Sequence, residues 1–256
     1  MSGYRVVGTG RYHRGVAETP DFTLEQLTGR TRDHLTEHSD PRCSLHKEVM
    51  APFLAMRAAA ATEGIDLVAF SSFRDFDRQL AIWNGKFRGE RPMQDREGRA
   101  LAAGTLAPAE RVSAILWWSA LPGASRHHWG TDFDVMDLAA VPMGYRIQVV
   151  PSEYAPGGPF HRLTTWLDRH MHSYGFYRPY TTQRGGVSPE AWHLSYAPVA
   201  ARAQRALSVQ GLREVLAASE IDGKEAVLAS LDENFRRYVV DVDQAPEAAR
   251  LSPRLA

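Results

Sequence analysis

The chain has 256 residues, enough for one large domain or one domain with a small addition. Hydrophobic residues make up 44% and charged residues 23%, the proportions of a soluble globular protein. Formal net charge is zero, which excludes partners recognised by bulk charge, such as nucleic acid or an anionic membrane surface.

The N-terminal segment carries Arg5, Arg11 and Arg14 but no apolar run of signal-peptide length. That pattern predicts a cytoplasmic location; a chain stripped of a leader would read the same and would be periplasmic. No stretch of eighteen apolar residues occurs, so no membrane span is expected. Thr23–His38 reads as a short amphipathic helix. The lone cysteine, Cys43, cannot form an internal disulfide and reads as a buried, inert thiol. Leu45–Gly64 has mostly helical spacing of Val49, Phe53, Leu54, Met56 and Ala60, with Gly64 as its stop. Ile65–Phe70 is a short run of strand formers, and Asp75–Lys86 is helical again.

Arg88–Leu106 turns polar and glycine-rich and reads as a loop. Pro108–Ser119 reads as a helix, and Phe133–Met136 and Ile147–Val150 as strands. Pro151–Pro159 reads as a loop or lid, Leu163–Tyr174 as a helix, and Ala191–Tyr196 as a strand. From Val199 onward three helical stretches follow, Val199–Leu207, Val209–Ser219 and Gly223–Val240. The expected architecture is α+β: a small, mainly antiparallel sheet packed with helices. It divides into a core over residues 1–198 and a C-terminal helical extension over 199–256.

Two histidine-bearing clusters carry the chemistry. One is Ser125-Arg126-His127-His128-Trp129-Gly130-Thr131-Asp132-Phe133-Asp134, the other Glu190-Ala191-Trp192-His193. Catalytic zinc takes three nitrogen or oxygen ligands and keeps a fourth position open. Gly130 permits a turn, so His127 and Asp134 can meet from a loop and the strand after it, with His193 arriving from a second strand. Glu190 lies three residues before His193, within reach of that fourth position as a general base. Spacing alone leaves this open against packed histidines and a solvated or capping aspartate. His161, His170 and His172 fall in or near a helix and are weaker ligands, and pairing His128 with Asp132 is a rival arrangement.

The first cluster resembles the Ser-x-His-x-x-Gly-x-x-x-Asp signature of VanY-like D-alanyl-D-alanine carboxypeptidases, and the second resembles their Glu-x-Trp-His motif. These zinc peptidases share a wider group with lysostaphin and the hedgehog signalling domain. The similarity runs from about Leu45 to Tyr196. The resemblance implies zinc held by His127, Asp134 and His193, with Glu190 as catalytic base and Ser125 touching substrate. Phe73-Arg74-Asp75 with Gln79 resembles the family's Tyr-Arg-Ser…Gln region. There Arg74 is implied to steady the scissile carbonyl or the substrate carboxylate. Asp132 departs from the small apolar residue of many relatives; it either supports a ligand or binds substrate. Trp129 and Trp192 are expected to wall the site.

The expected activity is removal of a C-terminal D-alanine from peptidoglycan stem peptides. A cytoplasmic enzyme trimming pentapeptide would destroy its own wall precursor, so the tetrapeptide (an L,D-carboxypeptidase role in wall recycling) is favoured over D,D cleavage of pentapeptide. A peptidoglycan endopeptidase and a zinc-binding wall-peptide recognition module are the other readings. Oligomeric state is not legible.

Overall fold

The computed structural model describes residues 22–250. The N-terminal arginine-bearing segment lies outside the described residues. The first helix is α1 (Leu24–Leu27), a single turn held by a capping box between Thr23 and Gln26. The helix expected over Thr23–His38 stops there. Strand β1 (Leu35–Ser39) follows and pairs antiparallel with β2 (Arg42–His46). The polar residues read as a helix face instead lie on β1, the outer strand of a hairpin whose other strand, β2, is buried from Cys43 to His46. Because β2 occupies the start of the expected Leu45–Gly64 helix, α2 is shorter, Met50–Thr62. Met50, Phe53, Met56 and Ala60 form its buried stripe.

Strand β3 (Leu67–Ser71) enters the central sheet, and α3 (Phe76–Phe87) leaves it with Asp75 as N-cap. The region expected as loop holds a small hairpin, β4 (Met93–Gln94) with β5 (Ala100–Leu101). Helix α4 (Pro108–Leu116) opens on a proline at its first position. Strand β6 (Asp132–Asp137) then crosses the middle of the molecule.

Ile147–Val150 is not a strand. The carboxylate of Glu153 accepts the backbone N–H groups of Gln148, Val149 and Val150 at 2.9, 2.6 and 3.2 Å. Those donors are thereby taken from any sheet ladder, and Val149 sits at φ +59°. The expected loop after it begins with a helical turn, α5 (Pro151–Tyr154). Helix α6 (His161–His170) continues as a 3-10 turn to Tyr174 and ends at Gly175. Strands β7 (Phe176–Tyr177) and β8 (His193–Tyr196) complete a four-stranded sheet of order β3-β6-β8-β7, antiparallel throughout.

The C-terminal helices are α7 (Ala197–Ala206), α8 (Val209–Ala217), α9 (Lys224–Ala229), α10 (Leu231–Phe235) and α11 (Glu247–Arg250). The expected boundary at 198/199 falls inside α7. Val199, Leu212, Val227 and Leu231 join the same apolar core as Phe53 and Phe133. The end of α3 is also tied to this region. Asn84 donates to Glu220 O at 2.9 Å and accepts from Asp222 N–H at 2.9 Å, and Trp83 Nε1 donates to Asp222 O at 3.1 Å. These helices therefore buttress α3. Among the described residues no helix is long and apolar enough to cross a membrane.

Candidate metal centre and peptidase site

Strand β6 alternates strictly. Phe133 and Val135 point into the core, where Phe133 meets Phe53 and Phe176 edge-on. Asp132 and Asp134 point to the opposite face. Asp134 pairs directly with His193 of β8, and Asp132 with Ser195. Directly opposed residues on neighbouring strands bring their side chains together, so register alone places a carboxylate beside an imidazole.

His127 reaches them from a 3-10 turn, Arg126–Trp129, closed by Gly130 at φ +68°. A Cβ on Gly130 would lie 2.5 Å from Leu35 Cδ2 and 2.7 Å from the His46 backbone nitrogen. Glycine is required there on both counts.

The three side chains each offer a ligand atom, all within 4.8 Å of one another. His127 Nε2 lies 3.6 Å from Asp134 Oδ2, and His193 Nδ1 lies 3.2 Å from Asp134 Oδ1. Tetrahedral zinc ligands stand about 3.3 Å apart. The outer nitrogens are engaged elsewhere: His127 Nδ1 with Ser72 O at 3.0 Å, His193 Nε2 with Asp132 Oδ1 at 3.0 Å. Ligating histidines are oriented in this way, by a carbonyl or carboxylate on the far nitrogen. Asp134 Oδ1 is buried with no hydrogen-bond partner. A buried acceptor without a donor fits a cation.

Charge points the same way. Asp132, Asp134 and Glu190 stand within 3.5 Å of His193, and Arg126 is the permanent cation within ion-pair distance, 2.7 Å from Asp132. With neutral imidazoles the cluster carries two uncompensated negative charges, the complement of one divalent ion. Without metal, protons compensate. Burial opposes a charge on His193, but its hydrogen bond to Asp132 and the negative charge of Asp134 override this and raise its pKa to about 10. Burial, reinforced by Asp134, raises Glu190 to about 7. Burial holds His127 neutral, its pKa lowered to about 3. In Asp134 burial is outweighed by the two imidazoles, and its pKa is lowered.

The cluster forms one wall of a cavity of about 600 Å³, which Ser125, Arg74, Glu190 and Trp192 also line. Glu190 Oε2 is 3.5 Å from His193 Nδ1. Its backbone N–H donates to Tyr180 O at 2.9 Å, fixing the loop that presents it. Arg74 is held by Gln79 Oε1 at 2.9 Å and Ser71 Oγ at 3.2 Å.

Three expected substrate contacts are placed elsewhere. Gln79 is fully buried, bonded to Arg74 and to Ala120 O; it positions Arg74 and does not face the cavity. Trp129 is also fully buried, stacking under Arg126 and donating to Leu27 O. Asp132 is enclosed by Arg126, Thr131, Ser195 and His193, which leaves it the supporting role and removes the substrate one. His128 cannot join Asp132 in a metal pair: its ring nitrogens are taken by Arg74 O and the N–H of Gly123.

Sequence reasoning missed Arg126, Tyr180 and a set of cations from α3 and the segment after it: Arg78, Lys86 and Arg91 line the same cavity. A signal existed for Lys86, which lies two helical turns after Gln79 and so shares its face.

The family model for VanY: D-alanyl-D-alanine carboxypeptidase matches residues 42–199. Among curated proteins, an uncharacterized protein of Haemophilus influenzae is 45% identical over 104 residues, covering 39% of this chain and 70% of its own. A second from that organism is 33% identical over 122 residues, covering 47% and 93%. A D-alanyl-D-alanine carboxypeptidase of Enterococcus faecalis is 26% identical over 185 residues, covering 71% and 54%. Among solved structures, VanYB in complex with D-Alanine-D-Alanine is 22% identical at a TM-score of 0.47, covering 73% of this chain and 89% of that one. The family match spans most of the chain and takes in both motifs that build the metal centre, and so the chain belongs to the VanY family of D-alanyl-D-alanine carboxypeptidases.

Proposed function

We propose that this protein is a zinc-dependent carboxypeptidase that releases C-terminal D-alanine from peptidoglycan stem peptides, with the tetrapeptide as preferred substrate. The observation that carries the reading is the convergence of His127 Nε2, Asp134 and His193 Nδ1 beside Glu190 at the wall of one cavity. Bound zinc supplies Lewis-acid polarisation of a carbonyl and acidifies water.

The chain's own groups do the rest. Glu190 takes a proton from the attacking water on a carboxylate oxygen and delivers it to the departing amine. A carboxylate beside the metal ligands can serve both halves of that transfer, as base and then as acid. Arg74, fixed by Gln79 and Ser71, places a cation against the oxygen where charge develops. Ser125 offers a hydroxyl at the cavity wall to orient the peptide. Trp192, packed against Tyr154, keeps one side of the site dry.

The tetrapeptide reading rests on the cavity beside Glu190. Its cationic lining would find nothing to bind in the methyl side chain of a D-alanine preceding the scissile bond. The family description and the Enterococcus relative's name favour a second reading, D,D cleavage of pentapeptide. Incubation with muramyl tetrapeptide and pentapeptide, followed by mass measurement of the products, separates the two. Loss of one alanine from the tetrapeptide is expected; cleavage of pentapeptide alone replaces the first reading with the second. Zinc content near one ion per chain, lost in His193→Ala, is expected alongside. Gently purified protein that is active but metal-free would sink the metal assignment.

A further inference from the structure

Four cations line the cavity on the side facing α3: Arg74, Arg78, Lys86 and Arg91. Among the described residues none of them has a carboxylate within ion-pair distance. Lys86 makes its one side-chain hydrogen bond to the neutral Ser119 Oγ, at 2.7 Å. Elsewhere on the molecule several cations do pair with carboxylates, as in Arg57–Asp66, Arg88–Asp222 and Arg213–Asp232. Arg74 and Lys86 are half-buried, Arg78 and Arg91 exposed, and half-buried cations are seldom left unpaired without a use.

Their order along the cavity is informative. Arg74 feels both Asp134 and Glu190, whereas Lys86 feels Glu190, Arg74 and Arg91 but not the metal ligands. The positive lining thus runs outward from the metal centre through Arg74 to Lys86 and then Arg91. The stem of Arg91 lies across Gly85, the residue before Lys86, where a Cβ would meet Arg91 Cδ at 3.0 Å. One carboxylate, the substrate's C-terminus, uses one cation. The remaining positive charge is matched by a second one.

We infer that Lys86, with Arg91 beside it, forms a subsite for a second carboxylate, carried on the side chain of the residue preceding the scissile bond. This inference rests on the carboxypeptidase reading above and names the chemistry of its substrate: a stem peptide whose third residue is a dicarboxylic diamino acid, not lysine. A charge-assisted contact of a carboxylate with a partly desolvated ammonium is strong enough to select between the two. A lysine side chain would instead bring a like charge against Lys86.

The test uses two tripeptides, L-Ala-γ-D-Glu-meso-diaminopimelate and L-Ala-γ-D-Glu-L-Lys, which differ by that one carboxylate and contain no D-alanine to release. Calorimetric binding to the full-length, zinc-loaded protein is expected to favour the diaminopimelate peptide on the order of tenfold. The preference should vanish in Lys86→Met and survive in Lys86→Arg. Equal affinity for the two peptides, including no binding to either, overturns the inference, as does a preference that persists in Lys86→Met. Release of D-alanine from the matching tetrapeptides is measured separately. A protein that discriminates in binding but releases no D-alanine fails the carboxypeptidase reading alone. One that releases it and shows no discrimination fails the subsite alone.

Discussion

Two walls of one cavity treat charge in opposite ways. Around His193 the carboxylates outnumber the permanent cations, and each carboxylate is tied to a named partner within 3.6 Å. Along α3 the cations stand without carboxylates. The first wall is complementary to a metal ion and the second to an anionic peptide. The difference also shows in rigidity. Asp132 accepts from Arg126 Nε, Thr131 Oγ1 and Ser195 Oγ at 2.7, 2.6 and 3.1 Å, a network with no free valence. Lys86 has one side-chain bond, to Ser119 Oγ, and Arg78 is exposed with no ion-pair partner among the described residues.

The largest expected effects break the first wall. Glu190→Gln keeps the shape of the site but removes the proton carrier, so kcat should fall about 10²–10⁴-fold while zinc content is retained. Unchanged turnover would remove Glu190 from the mechanism. The same variant has a stability signature in chelated protein. A carboxyl whose pKa is raised to about 7 contributes stability below its unfolded value that is lost as pH rises through 7. The glutamine variant escapes that loss, so its melting temperature should exceed that of wild type above pH 7. Asp132→Ala should be nearly as damaging by another route. It strands the buried guanidinium of Arg126, at about 3–5 kcal/mol of stability. It also frees the far nitrogen of His193, at about 10- to 100-fold in zinc affinity. Denaturant titration and a competing chelator measure the two separately.

The contrast between the walls explains what could be read from the sequence. The metal side is written in spacings that geometry enforces: a motif aspartate with a second aspartate two residues before it on the same strand face, a glycine that no other residue can replace, a histidine in register on the next strand. Those residues stand close together in sequence and carry distinctive types. The supporting partners do not. Arg126 lies within the first motif, yet nothing about an arginine between Ser125 and His127 announces a buried pair with Asp132. Lys86 shares a helix face with Gln79, but its meaning and that of Arg91 depend on how α3 is held by Asn84 against the C-terminal segment, some 138 residues away in sequence. Composition misled in two places. The half-exposed strand β1 has the polar periodicity of a helix, and the apolar Ile147–Val150 run loses its ladder to the Glu153 carboxylate. Tertiary context overrode local preference in both.

A middle-sized effect sharpens the metal side of the comparison. In metal-free protein His193 holds its proton up to about pH 10, because its bond to Asp132 and the charge of Asp134 outweigh burial. A histidine must be neutral to ligate, so zinc has to displace that proton. At pH 8, where Glu190 is already mostly ionised, calorimetry in two buffers of different ionisation enthalpy should report about one proton released per ion bound. No release would mean that the cation enters without using His193.

The smallest effect tests the cationic wall at its rim. Arg78 is exposed, sits at the cavity edge and has no ion-pair partner among the described residues. An exposed charge of this kind is screened within about 8–10 Å at ordinary ionic strength and contributes about 1 kcal/mol or less to a contact. It acts mainly on encounter with an oppositely charged ligand. Arg78→Gln should therefore raise KM for an anionic stem peptide about two- to threefold at low salt, leave kcat unchanged, and become indistinguishable from wild type near 0.5 M salt. A salt-independent loss, or one that falls on kcat, would place Arg78 in direct contact with the peptide and extend the fixed wall one helical turn further along α3.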